Sequence, residues 1–245
     1  MEKLVKAINE NNFEFQFIGI IVAVFCVILT LVLVTLWRRR KSAGNSILIT
    51  GLSDAGKTIL FSRLLNSKFI STYTSVKENT GNIYINNHSL RIVDIPGHER
   101  LRYKYFDKYK SSARALVYVI DAVTLQKDIR DVAEFLYSLL SIISIQRHIP
   151  ILVLCNKQDQ TMAKGCGVIK TLLEKEINLL RLTKSSQLEA IDDSSSNTFL
   201  GKNGVDFEFN HLNMNVQFAE SSAYNKDSDS IADIEELSVW LKKIV

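Results

Sequence analysis

Two residue types that shape many chains are scarce here. The 245 residues include two prolines, Pro96 and Pro150, and three cysteines, Cys26, Cys155 and Cys166. So little proline excludes a stiff, proline-rich architecture and suits a compact fold of alternating elements. The cysteines form no C-x-x-C pair and lack metal-ligand spacing, which excludes a disulfide framework and a thiolate metal site. One lies in an apolar run, one in an expected strand and one in an expected helix, so free thiols in a reducing cytosol are the expectation. A large charge excess is also missing. Lys and Arg total 30 against 26 for Asp and Glu, a net charge of +4. That is not the footprint of direct nucleic-acid binding.

The chain does have a long run without charge. Phe15 to Trp37 holds no charged side chain and is rich in Ile, Val and Leu. As a helix rising about 1.5 Å per residue, it covers the roughly 30 Å hydrocarbon core of a bilayer. Trp37 ends it at an interfacial position, and Arg38-Arg39-Arg40-Lys41 follows at once. Lys3 and Lys6 on the other flank are offset by Glu2, Glu10 and Glu14. The positive-inside rule then predicts a single-pass segment with its C-terminal side in the cytosol. A cleaved signal peptide is disfavoured, because a basic leader and a small-residue cleavage site are missing. The sequence therefore divides into a short lumenal N-terminus (1–14), a transmembrane helix (15–37), a basic juxtamembrane linker (38–45) and a folded domain (46–245). The linker's basic cluster suits anionic lipid head groups.

The folded domain opens on a phosphate-binding pattern. Gly51-Leu52-Ser53-Asp54-Ala55-Gly56-Lys57-Thr58 fits G-x-x-x-x-G-K-[ST]. Glycines let the backbone close around phosphate oxygens. The amides across Ser53, Asp54 and Ala55 then form an anion nest at a helix N-terminus. Lys57 reaches the β- and γ-phosphates, and the Thr58 hydroxyl can ligate Mg²⁺. The context agrees: Ser46–Thr50 reads as a short buried strand, and apolar residues recur at helical spacing after Lys57.

Strands and helices alternate downstream. Residues 82–87 and 90–94 predict a hairpin turning at His88-Ser89. Ala115–Asp121 and Ile151–Cys155 are near-continuous apolar runs, the mark of parallel strands buried on both faces. Asn215–Ala219 is a weaker last strand. Helical patterns cover Asp128–Ile145, Met162–Leu182 and Ile231–Ile244. The expected fold is α/β, with a mostly parallel sheet flanked by helices. Residues 185–204, rich in Ser, Asp and Gly, predict a flexible surface insertion.

Three further boxes set the nucleotide class. Asp94-Ile95-Pro96-Gly97 ends a strand as D-x-x-G, so Asp94 would hold Mg²⁺ through water and the Gly97 amide would sense the γ-phosphate. Asn156-Lys157-Gln158-Asp159 follows the next apolar strand. The Asp159 carboxylate can accept from guanine N1 and the 2-amino group, a donor pair that adenine lacks. Ser221-Ser222-Ala223 follows the last strand, where a backbone amide could meet guanine O6.

These ordered boxes resemble the small Ras-like GTPases across residues 45–245, most closely the Arf/Sar branch. Ser111-Ser112-Ala113-Arg114-Ala115, Val132-Ala133-Glu134-Phe135-Leu136-Tyr137, Cys155–Asp159, Met162-Ala163-Lys164 and Phe207-Glu208-Phe209 narrow the match. They are similar to the signal recognition particle receptor beta subunit family, and the N-terminal span fits that family as well. The resemblance implies a P-loop GTPase fold, GTP and Mg²⁺ as ligands, and a heterodimer with the receptor alpha subunit at the endoplasmic reticulum membrane. Ribosome or translocon are the further partners it implies. The other reading is an Arf/Sar-like membrane GTPase of vesicle traffic. The uncleaved span favours the tether, since it does not leave the membrane on hydrolysis.

Catalysis is expected to be slow or partner-dependent. Thr74 is the first-switch residue chosen to close on Mg²⁺ and the γ-phosphate, with Thr72 and Ser75 as neighbouring hydroxyls. His98 follows Gly97, where many Ras-like proteins carry a water-positioning Gln, and is the candidate catalytic residue. The phosphate loop holds no arginine to act as a finger in cis.

Overall fold

The computed structural model describes residues 23–31, 33, 44–66, 70–146, 148–189, 200–202, 204–224 and 232–244. The chain divides into two units, Met1–Gly44 and Asn45–Val245. In the first, residues 23–31 are helical and exposed. The rest of the expected span, apart from Leu33, and residues 38–43 of the expected linker lie outside the described residues. No helix among the described residues is long and apolar enough to cross a membrane.

The second unit is built on a six-stranded sheet of order β2-β3-β1-β4-β5-β6. The strands are β1 (Ser46–Thr50), β2 (Asn79–Ile85), β3 (His88–Asp94), β4 (Ala113–Asp121), β5 (Ile151–Asn156) and β6 (Val216–Glu220). All neighbours run parallel except the β2–β3 hairpin. The central strands are apolar on both faces because both faces are covered. Leu48, Leu116, Tyr118 and Val153 point to one side, where α2 (Glu99–Tyr109), α3 (Leu125–Gln146) and α4 (Cys166–Glu189) supply Phe106, Phe135, Leu139 and Leu173. Ile47, Ile49, Val117 and Leu154 point to the other, where α1 (Lys57–Asn66) and α5 (Glu235–Ile244) supply Leu60, Leu237 and Trp240.

Several boundaries differ from the sequence expectation. The hairpin turns at Asn86-Asn87 rather than at His88-Ser89, which open β3. Both asparagines adopt positive φ, 50° and 63°, the left-handed pair of a two-residue loop whose twist matches its strands. The helix expected from Met162 begins at Cys166, whose N–H donates to the Glu220 carboxylate at 2.7 Å. The last helix starts at Glu235, not Ile231. Helix α2 has no counterpart in the sequence reading. Apart from Leu101 its eleven residues are charged or aromatic, and only Arg102, Phe106 and Tyr109 are buried.

Of the expected insertion, α4 carries the chain on to Glu189. Leu200 is buried again, while residues 190–199 and 203 lie outside the described residues. Arg181 fixes this re-entry. Its guanidinium donates to the carbonyls of Leu200, Lys202 and Val205 and to Asn178 Oδ1, at 3.4, 3.1, 2.5 and 2.7 Å. Phe207 and Phe209 then pack edge-to-face, their centroids 5.3 Å apart.

Leu154 is completely buried in β5. Leu154→Ala is expected to lower unfolding free energy by about 3 kcal/mol, the cost of a cavity in a packed sheet core. Urea titration followed by circular dichroism measures it.

Candidate functional site

The phosphate loop lies between β1 and α1, and its glycines are set by neighbours as much as by any ligand. Gly51 has φ 144°, and a Cβ there would lie 2.2 Å from the Val119 carbonyl oxygen. Gly56 has φ 91°, and its Cβ would lie 2.3 Å from Asn156 Nδ2. No L side chain fits either position without moving backbone or a buried amide. Between them Asp54 takes φ 61°, which helps turn successive amides inward.

An open cavity of about 220 Å³ adjoins the loop. Ser53, Asp54, Gly56, Lys57, Thr58, Thr74, Asp94, Gly97 and Lys157 all line it. Lys57 is buried and donates to the Leu52 carbonyl at 2.5 Å. Burial lowers its pKa to about 8, with Asp94 and Asp54 pulling the other way. The Thr58 hydroxyl donates to Asp94 Oδ2 at 2.8 Å, and Asn79 Nδ2 donates to the same oxygen at 2.9 Å. Asp94 is fully buried, and its desolvation raises its pKa despite those two hydrogen bonds and Lys57. Its other oxygen, Oδ1, is buried without a hydrogen-bond partner among the described residues.

That orphaned oxygen, a hydroxyl and a nearby lysine would suit an Mg²⁺–phosphate group, whose metal takes few protein ligands besides phosphate oxygens and water. No group of three His, Cys, Asp or Glu among the described residues forms a separate metal site. In the first switch, Ser75 rather than Thr74 touches this set. Its hydroxyl lies 3.1 Å from that of Thr58, while Thr74 is exposed on the cavity wall.

Gly97 presses on the phosphate loop, for a Cβ there would come within 2.5 Å of Leu52 C and Ser53 N. His98 is exposed and is the N-cap of α2, where its Nδ1 accepts from the Arg100 N–H at 3.3 Å. A neutral ring so engaged carries its proton on Nε2. His98 is not among the residues lining the cavity.

The base side is organised by Asn156, which is buried. Its Nδ2 donates to the Ala55 carbonyl at 2.8 Å, and its Oδ1 accepts from Ser221 Oγ and the Ala223 N–H at 3.2 and 3.1 Å. The Ala223 amide is thus directed at Asn156. Lys157 takes φ 68° and pairs with Asp121 at 2.6 Å. Asp159 is exposed, and its Oδ1 accepts from Ser222 Oγ at 2.7 Å.

Nothing in the sequence points to Asn79 or Asp121, whereas Ser75 is one of the two hydroxyls it offers beside Thr74. Asn79 reaches Asp94 because the antiparallel register sets the two opposite each other. Asp121, the last residue of an apolar strand, meets Lys157 because β4 and β5 pair in register.

The family model of the signal recognition particle receptor beta subunit matches residues 42–216. The chain belongs to this family. A rat receptor beta subunit is 44% identical over 233 residues, covering 93% of this chain and 87% of its own length. The yeast Saccharomyces cerevisiae beta subunit is 30% identical over 196 residues, 75% of this chain and 80% of its own. Among solved structures, the mammalian signal recognition particle receptor superposes with a TM-score of 0.72 at 42% identity, covering 82% of this chain and all of that one. A receptor beta–GTP/SRX complex from Chaetomium thermophilum, 20% identical with a TM-score of 0.67, shares the fold over 82% of this chain and all of its own. The fold is that of a small GTPase.

Lys57 gives this receptor-family domain a specific pH dependence. In the folded protein burial holds its pKa down at about 8, against 10.5 for a solvated lysine. Below pH 8 the folded state therefore carries a penalty of about 3 kcal/mol, which fades as pH rises toward 10.5. Lys57→Met should be the more stable protein at pH 7, with the gap closing by pH 10.5. Titration of the buried Cys155 thiol and Tyr118 phenol, both shifted upward by burial, is common to the two proteins and cancels in their difference. Urea-derived stabilities at four pH values test this, and a gap independent of pH would refute it.

Proposed function

We propose that this chain is the GTP-binding, membrane-anchored subunit of the signal recognition particle receptor. In this reading it holds the alpha subunit at the endoplasmic reticulum membrane while GTP is bound, for co-translational protein targeting. The observation that carries the reading is Asp94. A buried carboxylate that binds Thr58 through one oxygen and leaves the other uncommitted beside the phosphate loop suits an Mg²⁺–triphosphate. Lys57, Thr58, Asp94 and the loop amides would hold the phosphates and metal, with Thr74 or Ser75 closing over them. Mg²⁺ there neutralises phosphate charge. On the base side, Asn156 holds the loops in place and Lys157 borders the base. Asp159, with Ser222 and Ala223 beside it, would read guanine, since a carboxylate matches the N1 and 2-amino donors.

The same geometry favours a latch over a fast catalyst. His98 is spent on capping α2 in this state, and the phosphate loop carries no arginine. Positioning and charge neutralisation without a finger give slow phosphoryl transfer. Hydrolysis is therefore slow or completed by a partner, with His98 as the candidate to orient water once its cap is released. The charge-free run at residues 15–37 supplies the anchor and the basic cluster its cytosolic flank, with ribosome or translocon as further contacts. The vesicle-traffic alternative has thinner support: an ADP-ribosylation factor-like protein is 28% identical over 55% of this chain.

Two experiments test the proposal. Asp159→Asn should weaken GTP about 100-fold or more and strengthen xanthosine triphosphate, because the carbonyl oxygen at xanthine C2 matches an amide donor. Unchanged GTP affinity in equilibrium binding would sink the guanine assignment. The full-length chain, affinity-purified from detergent-solubilised microsomes, should retain the alpha subunit with GTP and release it with GDP. Recovery of vesicle-coat components instead would favour the alternative.

A further inference from the structure

The fold gives Asn79 a place that asparagine seldom fills. It opens the edge strand β2, and asparagine is depleted in strands. Alternation puts it on the same face as Gly81, Ile83 and Ile85. That face turns toward α1: a Cβ on Gly81 would lie 2.6 Å from Leu65, and Ile83 is buried in one cluster with Leu60. An apolar side chain would extend the row. A residue that breaks its local pattern often belongs to a site, and here the amide is engaged. Nδ2 donates to Asp94 Oδ2 at 2.9 Å across the antiparallel register.

The carboxylate gains a fixed orientation from that bond. The last torsion of an aspartate is broad and roughly two-fold, so its oxygens interchange readily unless something distinguishes them. The Thr58 hydroxyl binds Oδ2 at 2.8 Å, but a hydroxyl rotates to suit its surroundings. Asn79 adds a planar amide on the same oxygen. With both donors on Oδ2, Oδ1 is the oxygen left without a partner among the described residues. A neutral amide suits this task. A cation there would oppose a metal, and a carboxylate would repel Asp94. The start of β2 does not hang on this bond alone, because the neighbouring Glu78 accepts from Lys108 and Tyr109 of α2 at 2.5 and 3.1 Å.

We propose that Asn79 is a positioning residue for the metal: by holding Asp94 Oδ2 it presents Oδ1 to the water shell of an Mg²⁺ bound with the nucleotide. This rests on the Mg²⁺–nucleotide reading of the site and adds a residue that lies outside the sequence boxes.

The test is the Mg²⁺ dependence of nucleotide retention by the full-length chain in detergent. The probe is a fluorescent GDP, and the proteins are wild type, Asn79→Leu and Asn79→Ala. The Mg²⁺ concentration for half-maximal retention should rise about tenfold in both variants, since outer partners of metal-binding carboxylates commonly contribute that much to metal affinity. GDP affinity in excess EDTA should be unchanged, because Lys57 and the loop amides act without Asn79. An unmoved Mg²⁺ half-point in both variants would overturn the proposal. Equal loss of affinity with Mg²⁺ and with EDTA would assign Asn79 a purely structural role and overturn it as well. If wild type retains GDP equally in Mg²⁺ and in EDTA, the metal and the positioning role fall while the nucleotide stays. If wild type binds no GDP under either condition, the nucleotide reading itself falls.

Discussion

The side-chain amide of Asn156 is the contact on which the site depends. One group with two donors and an acceptor oxygen ties the phosphate loop, through the Ala55 carbonyl, to the segment after β6, through Ser221 and Ala223. It is buried, so each bond forms away from competing water and each missing one would leave a costly orphan. The amide sits so close to the loop that Gly56 admits no Cβ. Two segments about 170 residues apart in sequence are thereby held in one arrangement, which is what a nucleotide binding at both ends would require.

Across from this hub, the phosphate side is kept under electrostatic tension. Lys57 is desolvated enough to lower its pKa, while Asp94 is buried with one oxygen unused. A bound Mg²⁺–phosphate would supply a counter-charge to each of these buried groups. The arrangement suits a protein whose bound state is the working state.

Much of this was legible in the sequence, for a physical reason. Phosphate cradling, metal ligation and base discrimination each demand particular residue types at fixed spacing, and the strands that present them are apolar runs hard to mistake in parallel sheets. The α/β sheet, Gly51–Thr58, Asp94, Gly97 and Asn156 could therefore be placed without coordinates. Residues recruited by register could not. Asn79 meets Asp94 across an antiparallel pair, and Asp121 meets Lys157 across parallel strands. Helix α2 escaped notice because a short stretch dense in Arg, Lys and Tyr shows little apolar period, although three residues spaced one turn apart hold it to the core. His98 shows what the motif alone leaves out: it follows the box as expected, and its ring also caps α2.

Arg181 has a consequence of another kind. By gathering three carbonyls of residues 200–205 it fixes the point where the chain rejoins the domain after Glu189. A change in the length of chain between Glu189 and Leu200 would leave those contacts in place, since loop-closure entropy changes by only about 0.6 kcal/mol for each doubling. Phe207, Phe209 and β6 keep their places whatever that length becomes. The guanidinium acts as a splice, fixing where the chain re-enters ahead of Phe207, Phe209 and β6.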